Sequence, residues 1–243
     1  MNGLMKKYKN KLSVSVMCSD LLNLEKDIRV LEKAGVDMLH IDVMDAHFVP
    51  NLTFGPDFIK AMQKKTSLPL DSHFMVTDPE LIMERLGSLR PGDGFTAHAE
   101  LLSPSTGSGT GLGGEPRSYR ELSKKVHDMG GFFGLGLSPD TPPEVLERNL
   151  PYIDVVLLML VYPGFAGSKM VPGIMDKVAL TRRWLDSHGR EDVEIIVDGS
   201  VSPEGARDMA AMGASIFVGG TAGIYRKGMA LEETIPYFRK MIE

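Results

Sequence analysis

The residues of this chain best suited to chemistry are His40 and Asp42, which stand in the run Leu39-His-Ile-Asp-Val-Met44. Leu39, Ile41 and Val43 alternate with His40, Asp42 and Met44. That is the period of a β-strand, so His40, Asp42 and Met44 share one face. An imidazole nitrogen and a carboxylate oxygen placed this way both reach a single metal ion. For these two residues taken alone, a buried hydrogen-bonded pair is the more ordinary outcome. Asp45, Pro50 and Asn51 mark the exit from the strand into a loop, where functional groups concentrate.

Further ligands have to come from other elements. Strand patterns fall at residues 12–17, 37–44, 68–75, 94–99, 131–137, 153–161, 193–198 and 215–219. Between them lie helical patterns. The first runs from Asp20 through Leu24, Ile28 and Leu31 to Ala34, and others cover 54–64, 119–129, 171–187, 203–212 and 231–242. One more opens at Asp78-Pro79-Glu80 with proline in its first turn, and another follows Pro139, Pro142 and Pro143. Eight alternations of strand and helix predict an α/β fold of the closed (β/α)8 TIM-barrel type, one domain spanning residues 1–243. Residues 103–117, rich in Ser, Gly, Thr and Pro, read as a flexible insertion in a βα loop: a lid over the site or a plain surface excursion.

A barrel gathers the C-terminal ends of its strands at one mouth, where its active sites are built. His40 and Asp42, His73 and Asp198 all fall at such ends. Two imidazoles and two carboxylates suit one divalent ion. Zn²⁺ is the first choice, and Mn²⁺, Fe²⁺ or Co²⁺ are compatible with the same donors. A second constellation offers backbone N–H groups to an anion: Gly164-Phe165-Ala166-Gly167 after the sixth strand, Gly199-Ser200 after the seventh and Gly220-Thr221 after the eighth. The loops after strands seven and eight are the usual phosphate site of such barrels. Met44, Met75 and Met159 stand near strand ends and together can wall a site with non-titrating surface, although each alone reads as core. Ser15, Cys18 and His98 also fall near the mouth, whereas His127, Trp184 and His188 lie on helices and read as unrelated to chemistry.

Composition narrows the partners. A net charge of −5 gives no electrostatic case for nucleic acid. Lys6, Lys7, Lys9 and Lys11 read as a solvated basic tail. No apolar run approaches the roughly 18 residues of a membrane span, and no signal-peptide core follows the basic start. The single cysteine, Cys18, excludes an internal disulfide and fits a reducing cytoplasm. A homo-oligomer stays open.

The segments His40-Ile-Asp-Val-Met-Asp-Ala-His-Phe-Val-Pro-Asn51, Pro69-Leu-Asp-Ser-His-Phe-Met75, Pro163-Gly-Phe-Ala-Gly167 and Val197-Asp-Gly-Ser200 resemble the ribulose-phosphate 3-epimerase family, over about residues 12–225. Val16-Met-Cys-Ser-Asp-Leu-Leu22, Asp198-Gly-Ser200 and Gly220-Thr-Ala-Gly-Ile224 look closer to its allulose-6-phosphate 3-epimerase branch. The resemblance implies a metal-dependent 3-epimerase of a phosphorylated ketose, with metal ligands at His40, Asp42, His73 and Asp198. It implies that Asp42 and Asp198 also act as the acid/base pair. Substrate contacts would come from Ser15, Met44, Met75 and Met159, and phosphate contacts from Gly164 to Gly167, Gly199, Ser200, Gly220 and Thr221. The chain departs from the family pattern at Ala46, where glycine is usual, and at Tyr162, Ser168 and Ile196. Rival readings are a phosphate-binding lyase barrel, which a lysine at a strand end would favour, and a sugar-phosphate-binding barrel without turnover. No strand end predicted here carries such a lysine.

Overall fold

A computed structural model describes residues 10–102 and 119–243. Eight parallel strands close into a barrel in chain order: β1 Lys11–Ser15, β2 Met38–Met44, β3 Leu70–Met75, β4 Gly94–His98, β5 Phe132–Leu137, β6 Val155–Met159, β7 Glu194–Asp198 and β8 Ile216–Gly219. Around it lie α1 Leu24–Ala34, α2 Pro56–Lys65, α3 Pro79–Leu86, α4 Arg120–Asp128, α5 Asp176–Ser187, α6 Pro203–Ala211 and α7 Leu231–Ile242. The expected TIM barrel is the observed fold. No helix among the described residues is long and apolar enough to cross a membrane.

The alternation in β2 sorts its side chains between two environments. Leu39, Ile41 and Val43 join Ile28 and Leu31 of α1 and Ile59 and Met62 of α2 in the core between sheet and helices. Burying a side chain such as Ile41 contributes roughly 1.5–3 kcal/mol. A one-residue slip would put these chains in the barrel interior and turn His40 and Asp42 toward the helices, so register and site are specified together.

The barrel interior is itself divided. From β5 to β8 it is filled by Phe132, Val155, Leu157, Ile196, Ile216 and Val218. From β1 to β4 it buries Ser13, Ser15, His40, Asp42, Asp71, His73, Thr96 and His98. Glycine admits the large apolar residues at one place in particular: a Cβ on Gly94 would lie 2.2 Å from the Phe132 ring.

Several expectations are corrected. The chain before α1 is not helical, because Asp20 draws it into a local turn by accepting from Leu22 N–H and the Asn23 amide. The element after β5 is a 3₁₀ run, Pro143–Tyr152, not an α-helix. Pro151, inside the run, carries no N–H for an α-helical ladder. α5 begins at Asp176, since Pro172 and the left-handed Gly173 (φ 76°) precede it. Lys11 belongs to no solvated tail: it is buried in β1, and its Nζ donates to both carboxylate oxygens of Glu194 at 2.8 and 2.9 Å. Lys6, Lys7, Lys9 and the 103–117 insertion lie outside the described residues.

The loop after β2 is organised by Asp45. Its Oδ1 accepts from His47 and Phe48 N–H, each at 2.8 Å, and its Oδ2 accepts from Thr77 N–H at 2.7 Å and Thr77 Oγ1 at 2.8 Å. The next residue, Ala46, is left-handed with φ 60°. Such a conformation costs a non-glycine residue about 1–2 kcal/mol. Partial burial raises the Asp45 pKa, but the N–H donors outweigh it and the net direction is down. An amide at this position would point its NH₂ at a donor. Asp45→Asn is therefore expected to lower stability by about 1–3 kcal/mol in urea unfolding at neutral pH. A depressed carboxylate stabilises above its unfolded pKa of about 3.9 and loses that contribution as pH falls toward its folded value, so the two proteins should converge in acid. An equal gap at neutral and acid pH would show that the charge is irrelevant.

Candidate functional site

Strand register brings the candidate ligands together. Asp42 pairs with His73 and Met44 with Met75 between β2 and β3, while Met159 pairs with Asp198 between β6 and β7. Barrel closure then carries β7 round to β2, with β8 and β1 between them.

His40 Nε2 lies 3.3 Å from Asp42 Oδ1 and 3.5 Å from Asp198 Oδ2. His73 Nδ1 lies 3.6 and 3.7 Å from the same two oxygens. One donor atom from each of the four residues falls within 4.8 Å of all the others. Both inward nitrogens, His40 Nε2 and His73 Nδ1, are buried without a hydrogen-bond partner. Ligands ~2.0–2.1 Å from a tetrahedral zinc stand roughly 3.3–3.4 Å apart, and the four imidazole–carboxylate distances run from 3.3 to 3.7 Å. Two orphaned imidazole nitrogens facing two carboxylates fit one divalent ion.

The electrostatics ask for a cation at this point. Burial disfavours a charged His40, yet Asp42, Asp71 and Asp198 reverse that and hold its pKa well above the ordinary imidazole value. Burial likewise favours a neutral Asp42, but His40 and His73 hold its carboxyl far below the usual range.

Outside this set each imidazole has a different support. His40 Nδ1 meets Asp71 Oδ2 at 2.8 Å, and the same oxygen accepts from Ser13 Oγ at 3.2 Å. His73 Nε2 meets His98 Nε2 at 2.8 Å, and His98 Nδ1 meets Glu100 Oε2 at 2.7 Å. Burial lowers the His98 pKa against the pull of Glu100. Burial raises Glu100, but His98 and its other donors bring it down to about 2. His98 therefore does not line the mouth. It sits behind His73, with the Phe48 ring 4.6 Å away. The sequence patterns above do not mark Asp71 and Glu100. Their signal was present: each stands two positions from an inward-facing histidine of its own segment.

A cavity opens beside this set, and its lining includes Ser15, Asp42, Met44, Met75, Met159 and Asp198. Ser15 Oγ donates to Asp42 Oδ2 at 3.0 Å. Gly164, Phe165, Ala166, Gly167, Gly199, Ser200, Gly220 and Thr221 all line the walls, so every residue proposed for substrate contact faces this cavity. His40 and His73 are fully buried and do not line it. Met17 and Cys18 also line it, from a 3₁₀ turn, Val16–Cys18, that ends β1 earlier than expected. Burial pushes the Cys18 thiol pKa up.

The wall loops are tightly held. Asn51 Nδ2 donates to the Gly164 carbonyl at 2.6 Å, tying the loop after β2 to the loop after β6. Gly199 has φ 104°, and a Cβ there would lie 2.6 Å from Val161 Cγ2, so no side chain fits. Ser200 is left-handed at φ 55° without being glycine. Among the departures, Ser168 lines the cavity and Ile196 packs in the barrel interior. Tyr162 is exposed, its hydroxyl donating to Asp140 at 2.8 Å. His127 pairs with Asp154 at 2.6 Å and His188 packs on Trp184, and neither lines the cavity.

If the four residues hold one ion, His73→Ala should lose most of its bound metal on dialysis while keeping its far-ultraviolet circular dichroism. Elemental analysis checks this, and full occupancy in the variant would remove His73 from the set.

The sequence profile of the ribulose-phosphate 3 epimerase family matches residues 11–224. A ribulose-phosphate 3-epimerase of Bacillus subtilis is 35% identical over 212 residues, 87% of this chain and 91% of its own. One from Chlamydia pneumoniae is 36% identical over 238 residues, 97% of either chain. Among solved structures, a phosphoribosyl anthranilate isomerase from Thermococcus kodakaraensis superposes with a TM-score of 0.57 at 12% identity, covering 96% of this chain and 99% of its own. A (S)-3-O-geranylgeranylglyceryl phosphate synthase from Thermoplasma acidophilum gives 0.58 at 17% identity, covering 97% and 94%. At such identities these two share the fold alone.

Proposed function

The chain belongs to the ribulose-phosphate 3-epimerase family and is an epimerase, and on that premise we propose that it inverts C3 of a phosphorylated 2-ketose with Asp42 and Asp198 as paired acid and base. The observation that carries this reading is the meeting of two carboxylates and two orphaned imidazole nitrogens beside a cavity walled by glycine-rich loops.

The C3 proton of a 2-ketose is acidic because the neighbouring carbonyl takes up the developing charge. Inversion needs a base on one face of C3 and an acid on the other. Asp42 comes from β2 and Asp198 from β7, so a substrate seated between them meets one carboxylate on each side. One removes the proton, the other delivers a proton to the opposite face, and their roles exchange in the reverse direction. Ser15 holds Asp42 Oδ2, leaving Oδ1 toward the histidines. Met44, Met75 and Met159 supply walls that neither titrate nor donate protons. The N–H groups around Gly164 to Gly167, Gly199, Ser200, Gly220 and Thr221 would hold the phosphate. A divalent ion held by His40, Asp42, His73 and Asp198, with Zn²⁺ the proposed species, supplies Lewis-acid polarisation of the substrate oxygens when bound. The proposed setting is a reducing cytoplasm, consistent with one free cysteine.

Asp42→Asn and Asp198→Asn are each expected to lower epimerisation by at least about 10²–10⁴-fold, the usual worth of a positioned acid or base. Deuterium incorporation at C3, followed by NMR beside elemental analysis, separates lost proton transfer from lost metal. Full activity in either metal-loaded variant would sink the two-carboxylate scheme.

For the substrate, the relatives' names point to a ribulose phosphate, and we propose ribulose 5-phosphate as one substrate. The motifs that look closer to the allulose-phosphate branch supply Met17, Cys18, Gly220 and Thr221 to the cavity wall, which supports a hexulose 6-phosphate as well. One extra hydroxymethyl group is worth about 1–3 kcal/mol, so both ketoses should turn over, with kcat/KM values within about 200-fold of each other. No turnover of allulose 6-phosphate would remove the hexulose assignment and leave the 3-epimerase reading intact.

A further inference from the structure

Behind His73 runs a hydrogen-bonded line that proton transfer at C3 does not use. His73 Nε2 faces His98 Nε2 at 2.8 Å, and His98 Nδ1 faces Glu100 Oε2 at 2.7 Å. A contact between two neutral imidazole nitrogens carries one proton, so one nitrogen donates and the other accepts. The Glu100 end sets which. Glu100 Oε1 accepts from the Ser138 backbone N–H at 2.7 Å, a donor that cannot reverse. The Ser138 and Pro139 carbonyls are in turn gripped by Lys177 Nζ of α5, at 2.6 and 3.1 Å.

A carboxylate only accepts. His98 therefore keeps its proton on Nδ1 and offers a bare Nε2 to His73. His73 donates through Nε2–H, which leaves its Nδ1 with a free lone pair. That Nδ1 is the buried, unpartnered atom facing Asp42 and Asp198. We infer that Glu100 and His98 are positioning residues that fix the tautomer of His73 and so present its Nδ1 lone pair to a divalent cation. The inference rests on the metal reading above and adds residues outside the four ligands. His40 is set by one carboxylate, Asp71, in direct contact, whereas His73 receives the same instruction through a second imidazole. Metal-binding histidines depend on such partners for orientation and basicity.

Glu100→Gln tests it with nearly the same shape. The amide oxygen stays with the Ser138 N–H, and the NH₂ turns toward His98 Nδ1. His98 must then carry its proton on Nε2, pointing at His73. Ring-nitrogen NMR of ¹⁵N-histidine protein, metal-free and Zn²⁺-loaded, reads the tautomers, and chelator competition reads the Zn²⁺ dissociation constant. The wild type should show His98 protonated on Nδ1. The variant should show it on Nε2 and bind Zn²⁺ about 10–100-fold more weakly. A merely structural Glu100 would lower thermal stability and leave the dissociation constant unchanged, which would overturn the inference. If the variant does not fold, wild-type His98 protonated on Nε2 overturns it and Nδ1 protonation supports it. A wild type that binds no Zn²⁺ at all would overturn the metal reading and this role together.

Discussion

The constraint on which the rest depends is charge in a confined interior. Asp42, Asp71 and Asp198 surround a fully buried His40. Bringing carboxylates together away from water is expensive unless positive charge or hydrogen-bond donors answer them. The chain answers with two imidazoles, a serine on Asp42 and another on Asp71. It still leaves two nitrogens turned inward with nothing to bind. Such an arrangement is a poor way to stabilise a protein and a good way to hold a cation.

Other costs gather at the same mouth. Ala46 and Ser200 are the two non-glycine residues with positive φ among the described residues, and both lie in loops at the C-terminal ends of strands. The β5–β8 half of the interior and the layer between sheet and helices are filled with apolar side chains that offset such costs. Local rules are broken where the chemistry sits, as expected when function rather than stability selects the residues.

Much of this was legible in the sequence because period and position carry it. Strand alternation in β2 places His40, Asp42 and Met44 on one face, and eight strand–helix repeats bring distant strand ends to one mouth. What escaped depends on contacts between residues far apart in the chain. Lys11 looked like one more charge in a basic run, since nothing nearby reveals that Glu194 waits 183 positions away. Glu100 gains its meaning from Ser138, and Asp71 from His40, neither of which periodicity supplies. At the late start of α5 and in the 3₁₀ run after β5, Pro172, Gly173 and Pro151 override the helical spacing of apolar residues.

The central claim is that His40, Asp42, His73 and Asp198 share one divalent ion. Anomalous diffraction from crystals of fully active protein, collected on either side of the Zn, Fe, Co and Mn absorption edges, measures it directly. The expected result is one anomalous peak about 2.0–2.2 Å from His40 Nε2, His73 Nδ1 and an oxygen of each aspartate, appearing at a single metal's edge. Fully active crystals with no anomalous peak among those four residues would contradict it.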